Sequence, residues 1–466
     1  MSNSAIILAA GEGKRMKSNK PKAMAEVLFQ PMINWVLDAV QGAGVEETCL
    51  VVGHYGELLE AHVEGTGCNI AYQTERLGTG HAVMQAGDFL ANSKADNILV
   101  LNGDAPFMDA ETILASLKLH EEQGYAVTVI AANIPNPTGY GRIVRNGDGS
   151  LKKIVEQKDA NAAELGITEV NSGAYWFKRE ALMDALTKIT PENAAHEYYL
   201  TDTIYVLKAD GKTAGVYATE NGNVVLGAND RVQLLELNDI ARKDVLYKHL
   251  RNGVDIPVLD GIIIGKDVEI GNETQILPNT IIKGATSIGS NCVLGPNTYI
   301  INSTIADGVK LNNVMFEDST IGANADLGPF SHVRPNCNLA EGVHAGNYTE
   351  IKNSNVGKGT KIPHLTYVGD SDVGEGCNFG CGSLTVNYDG KIKHRTTIGD
   401  HVFVGCNTNL VAPVTVGDWA FTAAGSTITE DVPEDALAIA RARQTNIDGW
   451  VTKKQPYKNM DGHKNK

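Results

Sequence analysis

Ile264-Gly-Lys-Asp-Val268-Glu-Ile270-Gly-Asn-Glu-Thr274-Gln-Ile276 opens the pattern that decides the fold of the second half of the chain. An aliphatic residue returns every sixth position, at Ile264, Ile270, Ile276, Ile282, Ile288, Leu294 and Ile300. Gly follows it at 265, 271, 289 and 295. A small or β-branched residue stands four places after it, at Val268, Thr274, Thr280, Thr286, Cys292, Thr298 and Thr304. The register slips after Ile300 and resumes at Ile321, Leu327, Val333, Leu339, Ala345 and Ile351. It continues through Val356, Ile362, Val368, Val373 and Phe379, and later through Ile398, Val404, Leu410, Val416, Thr422 and Ile428. A six-residue repeat is the sequence mark of a β-helix. Each hexapeptide is one short strand and a turn, its aliphatic residue fills the interior, and glycine serves the turns. Three hexapeptides make one coil, which adds roughly 4.8 Å of height.

Counting in this register separates structural from chemical candidates. Cys292, Cys337 and Cys377 fall on the small inward slot and read as packed core thiols. His364, Cys381, Cys406 and Ala424 lie two places after Ile362, Phe379, Val404 and Thr422, a position that faces outward. Three hexapeptides, one residue short, separate the first two. Three more, with an insertion at about Val386 to Thr397, separate the next. The four residues should therefore stack on one face in successive coils. An outward histidine suits a proton acceptor for an amine nucleophile. Arg334 and Lys352 each follow an aliphatic rung; they are either a phosphate grip or solvated surface charge.

The first half reads differently. Apolar runs at Ala5 to Ala10, Thr48 to Val52 and Asn97 to Leu101 alternate with amphipathic stretches such as Met32 to Val40. That alternation predicts a mostly parallel sheet covered on both faces. In such sheets ligands bind beyond the carboxyl ends of the strands. Gly11-Glu-Gly-Lys-Arg15-Met16 follows the first run. It is neither a dinucleotide fingerprint nor a Walker loop. A Gly turn followed by Arg15 and Lys22 can nevertheless cradle a triphosphate. Asp104, just past another strand, is either a ligand for Mg2+ or a turn or capping residue. Asp230 to Arg251 reads as a charged linking helix.

Composition narrows the function classes. At about 150 residues per domain, 466 residues admit roughly two or three. Apolar residues make up 42% and charged residues 20%, which excludes intrinsic disorder. A formal charge of −15 speaks against nucleic acid as a partner but leaves phosphorylated small molecules open. Seven cysteines with no CxxC pair fit neither a disulfide framework nor a zinc site. No run approaches the ~18 apolar residues of a membrane span, and the first apolar run is too short for a signal peptide. The expectation is a cytoplasmic protein with no membrane contact.

Leu8-Ala-Ala-Gly-Glu-Gly-Lys-Arg-Met16 with Pro21-Lys22 resembles the signature of sugar-1-phosphate nucleotidyltransferases. With a hexapeptide β-helix carrying His364-Leu-Thr-Tyr367 and Asn387-Tyr-Asp-Gly390, the chain resembles the bifunctional GlmU family from about Ala5 to Gln444. The resemblance implies an α/β plus all-β architecture. A Rossmann-like nucleotidyltransferase domain at 1–229 joins, through a helix at 230–252, a left-handed parallel β-helix at 253–466 with a polar tail. It implies two reactions in series. Glucosamine 1-phosphate is N-acetylated from acetyl-CoA, and the N-acetylglucosamine 1-phosphate formed takes a uridylyl group from UTP with Mg2+. The product would supply bacterial peptidoglycan and related envelope polymers.

Carried over by position, Leu8, Ala9, Ala10 and Gly11 would bind uridine, with Gln73, Gly78 and Thr79 completing the pocket. Arg15 and Lys22 would neutralise phosphates, Asp104 and Asn229 would ligate Mg2+, and Gly141, Glu156 and Asn171 would line the sugar. In the second half Arg334, Lys352, Tyr367 and Asn378 would hold the sugar phosphate, with His364 as general base. Cys381, Asn387, Tyr388, Cys406, Ala424 and Arg441 would contact acetyl-CoA. Cys406 stands where many members have Ser, and Cys381 where Ala is common. The family's assembly is a homotrimer with shared acetyl-transfer sites. A single-activity nucleotidyltransferase with an assembling β-helix is the nearest rival; a catalytically dead regulatory subunit is another.

Overall fold

A computed structural model describes residues 2–454. The polar tail expected after Trp450 falls, from residue 455 onward, outside the described residues. The chain divides into two compact units, Met1–Asp244 and Val245–Lys466, with the division inside the helix Arg231–Arg251.

The first unit is built on a nine-stranded sheet. Strands Asn69–Tyr72, Glu47–Val52, Asn3–Ala9 and Asn97–Asn102 lie side by side in parallel. Glu169–Lys178 runs antiparallel between Asn97–Asn102 and Val127–Asn133, so the sheet is mixed. The apolar runs are continuous because both faces of the sheet are covered. Ile7, Leu50 and Leu99 share one core with Ile33, Val36 and Val40 of the helix Met32–Gly42. Their neighbours Ile6, Val51 and Val100 share the other with Ala82, Val83, Leu182 and Ile204. With both faces filled by helices, the edge where the parallel strands end is where loops are free to carry polar chemistry. Gly11 and Asp104 both sit just beyond it.

The second unit is the expected parallel β-helix, three sheets of ten, nine and ten short parallel strands. Inward residues pair like with like between coils: Ile282 with Ile300, Ile300 with Phe316, Phe316 with Val333, Val333 with Ile351. All five are buried. Cys292, Cys337 and Cys377 are buried as expected, and burial pushes all three thiols above their ordinary pKa.

Two details of the count are corrected. The repeat does not lapse after Ile300. It continues through Ile305, Leu311 and Phe316 on rungs shortened to five residues at intervals, all buried. The shortening moves the inward slot to Ser303, so Thr304 is exposed. The glycines also serve a different purpose. Of Gly265, Gly271, Gly289 and Gly295, only Gly295 has a left-handed φ. Asparagine takes many of the left-handed corners, as at Asn279, Asn297 and Asn313, which chain together side chain to side chain at 3.1 Å. Gly271 and Gly289 are small for want of room, since a Cβ on either would stand 2.7 Å from the next coil's backbone.

Phe316 fills a rung that the six-residue count skips, and nothing replaces its ring. Phe316→Ala should cost about 3–5 kcal/mol, read as a fall in equilibrium urea stability of the second unit's transition.

Candidate active sites

The first unit carries a cavity at the strand ends lined by Leu8, Lys22, Thr79, Asp104, Gly141, Glu156, Asn171 and Asn229. Lys22 is its centre. Its ammonium donates to Asn229 Oδ1 at 2.7 Å and pairs with the Asp104 carboxylate. The Gly turn makes this approach feasible: Gly13 has φ +61, and a Cβ there would stand 3.1 Å from the Lys22 Cβ. One carboxylate and one amide oxygen thus converge on a single point. That donor set fits a hard divalent cation that takes its remaining oxygens from substrate phosphate and water. Among the described residues no cluster of three His, Cys, Asp or Glu side chains forms a metal site by itself.

Glu156 accepts from Thr201 Oγ1 at 3.3 Å, and burial holds its carboxyl above the ordinary pKa. The backbone N–H of Asn171 donates to the Gly141 carbonyl at 2.9 Å, which fixes these two side by side. Burial and the Asp104 charge push the nearby Tyr140 phenol up as well.

The remaining expected residues lie outside the lining. Ala9 and Ala10 are buried at the end of the first strand, and Gly11 begins the loop. Gln73 Nε2 donates to the Gly78 carbonyl at 3.1 Å and so closes the following loop on itself. Gly78 has φ +108, and a Cβ would meet the Tyr198 carbonyl oxygen at 2.5 Å. Arg15 is exposed on the turn Lys14–Met16 and does not line the cavity. Sequence reasoning missed Asn102 and Tyr175, which do line it. A polar residue closing the apolar run Asn97 to Leu101 was the available signal for Asn102.

In the second unit His364, Cys406 and Ala424 are exposed and Cys381 is half-buried, one to a coil along one corner. The ladders that set this column join Lys361 to Asn378, Phe379 to Val404 and Val404 to Thr422. His364 Nδ1 lies 3.0 Å from Oδ1 of Asn347, its strand partner in the preceding coil. An amide oxygen only accepts, so Nδ1 is the donor in this contact, and in the neutral ring it is Nε2 that carries the lone pair. Asn347 is a neighbour of His364 that the spacing argument left out, although it occupies the same column. Arg441 lies exposed near Gly425, its Cδ 3.7 Å from where a Cβ on that glycine would be.

The adjacent sheet collects cations. Arg334 NH1 binds Glu350 Oε1 at 3.0 Å. The Lys393 ammonium beside Lys352 holds the latter below the usual lysine pKa. Lys393 comes from the inserted loop, and it too escaped sequence reasoning. Asn387 Nδ2 donates to the Tyr367 hydroxyl at 3.2 Å and to the buried Asp370 carboxylate. The loop is knotted by Asp389. His394 and the backbone N–H groups of Ile392 and Lys391 hold its carboxyl down at about 2. Tyr388 stays exposed. Asn378 is not brought to this cluster: its strand belongs to the sheet of Lys361–His364, whereas Lys352 and Tyr367 belong to the neighbouring one.

Three families match: Nucleotidyl transferase over residues 4–224, GMPPB C-terminal domain over 262–356, and Bacterial transferase hexapeptide (six repeats) over 395–430. The bifunctional protein GlmU of Acetivibrio thermocellus is 49% identical over 97% of each chain. The GlmU proteins of Clostridium kluyveri and Clostridium botulinum are 46% and 44% identical, over 97% of this chain and 99% of theirs. Whole-length identity at this level, with a transferase fold in each unit, shows that the chain belongs to the bifunctional GlmU family, enzymes that join a uridylyltransferase and a hexapeptide-repeat acetyltransferase in one polypeptide.

Proposed function

We propose that the second unit acetylates the amine of glucosamine 1-phosphate from acetyl-CoA and that the first unit joins the product to UTP with Mg2+, releasing pyrophosphate. The observation that supports this most is the His364 imidazole, outward on a coil corner with Nε2 free and Nδ1 fixed by Asn347. Nε2 takes the proton from the attacking amine. Arg334, Lys352, Tyr367 and Lys393 hold the phosphate. Cys381, Asn387, Tyr388, Cys406, Ala424 and Arg441 form the wall for acetyl-CoA, and donors near Asn387 and Tyr388 steady the tetrahedral oxyanion. Asn378 lies on another sheet, so it would serve this chemistry through a homotrimer whose sites are shared between copies.

In the first unit Asp104 and Asn229 would hold Mg2+, which supplies charge neutralisation for the phosphates. Lys22 positions the α-phosphate for in-line attack by the sugar phosphate, and Arg15 adds charge from the loop. Leu8, Ala9, Ala10, Gly11, Gln73, Gly78 and Thr79 hold uridine; Gly141, Glu156 and Asn171 hold the sugar. The functional boundaries proposed are 1–229, 230–252 and 253–466. The setting is the cytoplasm, where the product feeds envelope polymers; among the described residues no helix is long and apolar enough to cross a membrane.

The test is to supply glucosamine 1-phosphate, acetyl-CoA and UTP and to look for UDP-N-acetylglucosamine. Its absence refutes the reading. His364→Ala should lower acetyl transfer by at least 100-fold, in keeping with the loss of a general base, and leave uridylyl transfer unchanged. Asp104→Asn should cut Mg2+-dependent uridylyl turnover by about 100-fold or more, with undiminished turnover counting against the metal assignment. Lys393→Ala should raise KM for glucosamine 1-phosphate about tenfold, the loss of one charge-assisted contact, while KM for acetyl-CoA stays put.

A further inference from the structure

The strand Glu169–Lys178 slips register against Val127–Asn133: Asn171 faces Ala131, but Ala174 faces Ile130. Ser172 and Gly173 are thereby squeezed into a bulge. Ser172 Oγ donates to the Ile130 carbonyl at 2.7 Å and accepts from the Ala174 N–H at 3.1 Å. Gly173 has φ +78, and a Cβ there would collide with the Asn102 side chain. The consequence is positional. Asn171 and Tyr175, four apart in sequence, lie opposite Ala131 and Val129, which is the spacing of same-face neighbours.

That brings the Asn171 amide onto the Tyr175 hydroxyl. Asn171 Oδ1 accepts the Gly173 N–H at 3.0 Å, which fixes which end of the amide is which, and Nδ2 donates to the Tyr175 oxygen at 2.6 Å. Tyr175 is 3% exposed, its ring 5.8 Å from that of Phe177, and it lines the cavity along with Asn171. Two donors are left over by this arrangement: the second Asn171 amide N–H and the Tyr175 O–H. Burial pushes the phenol well above its ordinary pKa, so the hydroxyl stays a donor throughout the working range.

We propose that Tyr175 is a specificity-determining residue, whose hydroxyl joins the Asn171 amide in a two-donor site for the acetamido carbonyl of the incoming sugar phosphate. The inference rests on the reading that this cavity takes N-acetylglucosamine 1-phosphate. A carbonyl oxygen offers two lone pairs, one for each donor. The unacetylated amine, protonated, offers only donors, so it leaves both protein groups unpaired in a desolvated place, where the penalty is large. Glu156 faces the same cavity and would attract an ammonium. Burial raises its pKa more than the Thr201 hydrogen bond lowers it, which weakens that pull. Tyr175 would therefore help the first unit wait for the second unit's acetyl transfer.

The test is Tyr175→Phe in the full-length enzyme with UTP and Mg2+. We expect kcat/KM for N-acetylglucosamine 1-phosphate to fall about 10- to 100-fold, that for glucosamine 1-phosphate to fall less than about threefold, and KM for UTP to hold. An equal loss with both sugars, or no loss, overturns the proposal. The unaltered protein gives an answer that no folding defect can blur. With N-ethylglucosamine 1-phosphate, which lacks the carbonyl, it should be as poor as with the free amine. Turnover equal to that of the acetamido sugar overturns the proposal too. Failure of the unaltered enzyme with every sugar phosphate sinks instead the reading of the cavity, and the inference with it.

Discussion

The stacking of inward aliphatic side chains, one coil upon the next at the spacing of parallel strands, governs the second unit. A buried rung cannot be moved outward without opening a hole in a close-packed column, so every outward position is fixed by its distance from the nearest rung. His364 faces solvent because Ile362 does not. The same rule places Cys381, Cys406 and Ala424 above it. The column is therefore a consequence of core packing, and the Asn347 amide at 3.0 Å helps fix the orientation of its imidazole.

The first unit obeys a different constraint with a similar result. Helices cover both faces of its sheet, so strand interiors are mostly apolar and the polar side chains of the cavity gather at the strand ends. Lys22 reaches that edge by way of a glycine turn with almost no room to spare, and meets the oxygens of Asp104 and Asn229 there. Three segments far apart in sequence are brought together at one ammonium.

How much of this was legible before the structure depends on the length scale of each interaction. The β-helix was readable because its rule is local: one aliphatic residue, then the next, six positions on. The count failed where rungs shorten to five, at Ile305 and Phe316, because a corner can lose a residue while the inward face persists. The strand-end placement of Asp104 was readable for the same local reason. Asn347, Lys393 and Tyr175 were not. Asn347 matters only through its coil-to-coil pairing with His364, Lys393 through a loop that folds back toward Lys352, and Tyr175 through a bulge that no propensity announces. Such residues acquire their neighbours from contacts between segments distant in sequence, whether through strand register or through a loop that folds back.

Charge is distributed with the same economy. The chain is acidic overall, at −15, yet it places Lys352, Lys393 and Arg334 on one patch of the β-helix. Their mutual repulsion is visible in the lowered pKa of Lys352. Glu350 and Asp370 relieve it only in part, since Glu350 is committed to Arg334 and Asp370 also receives Asn353 and Asn387. An anion placed beside Lys352 would oppose that repulsion and favour the lysine's charged form.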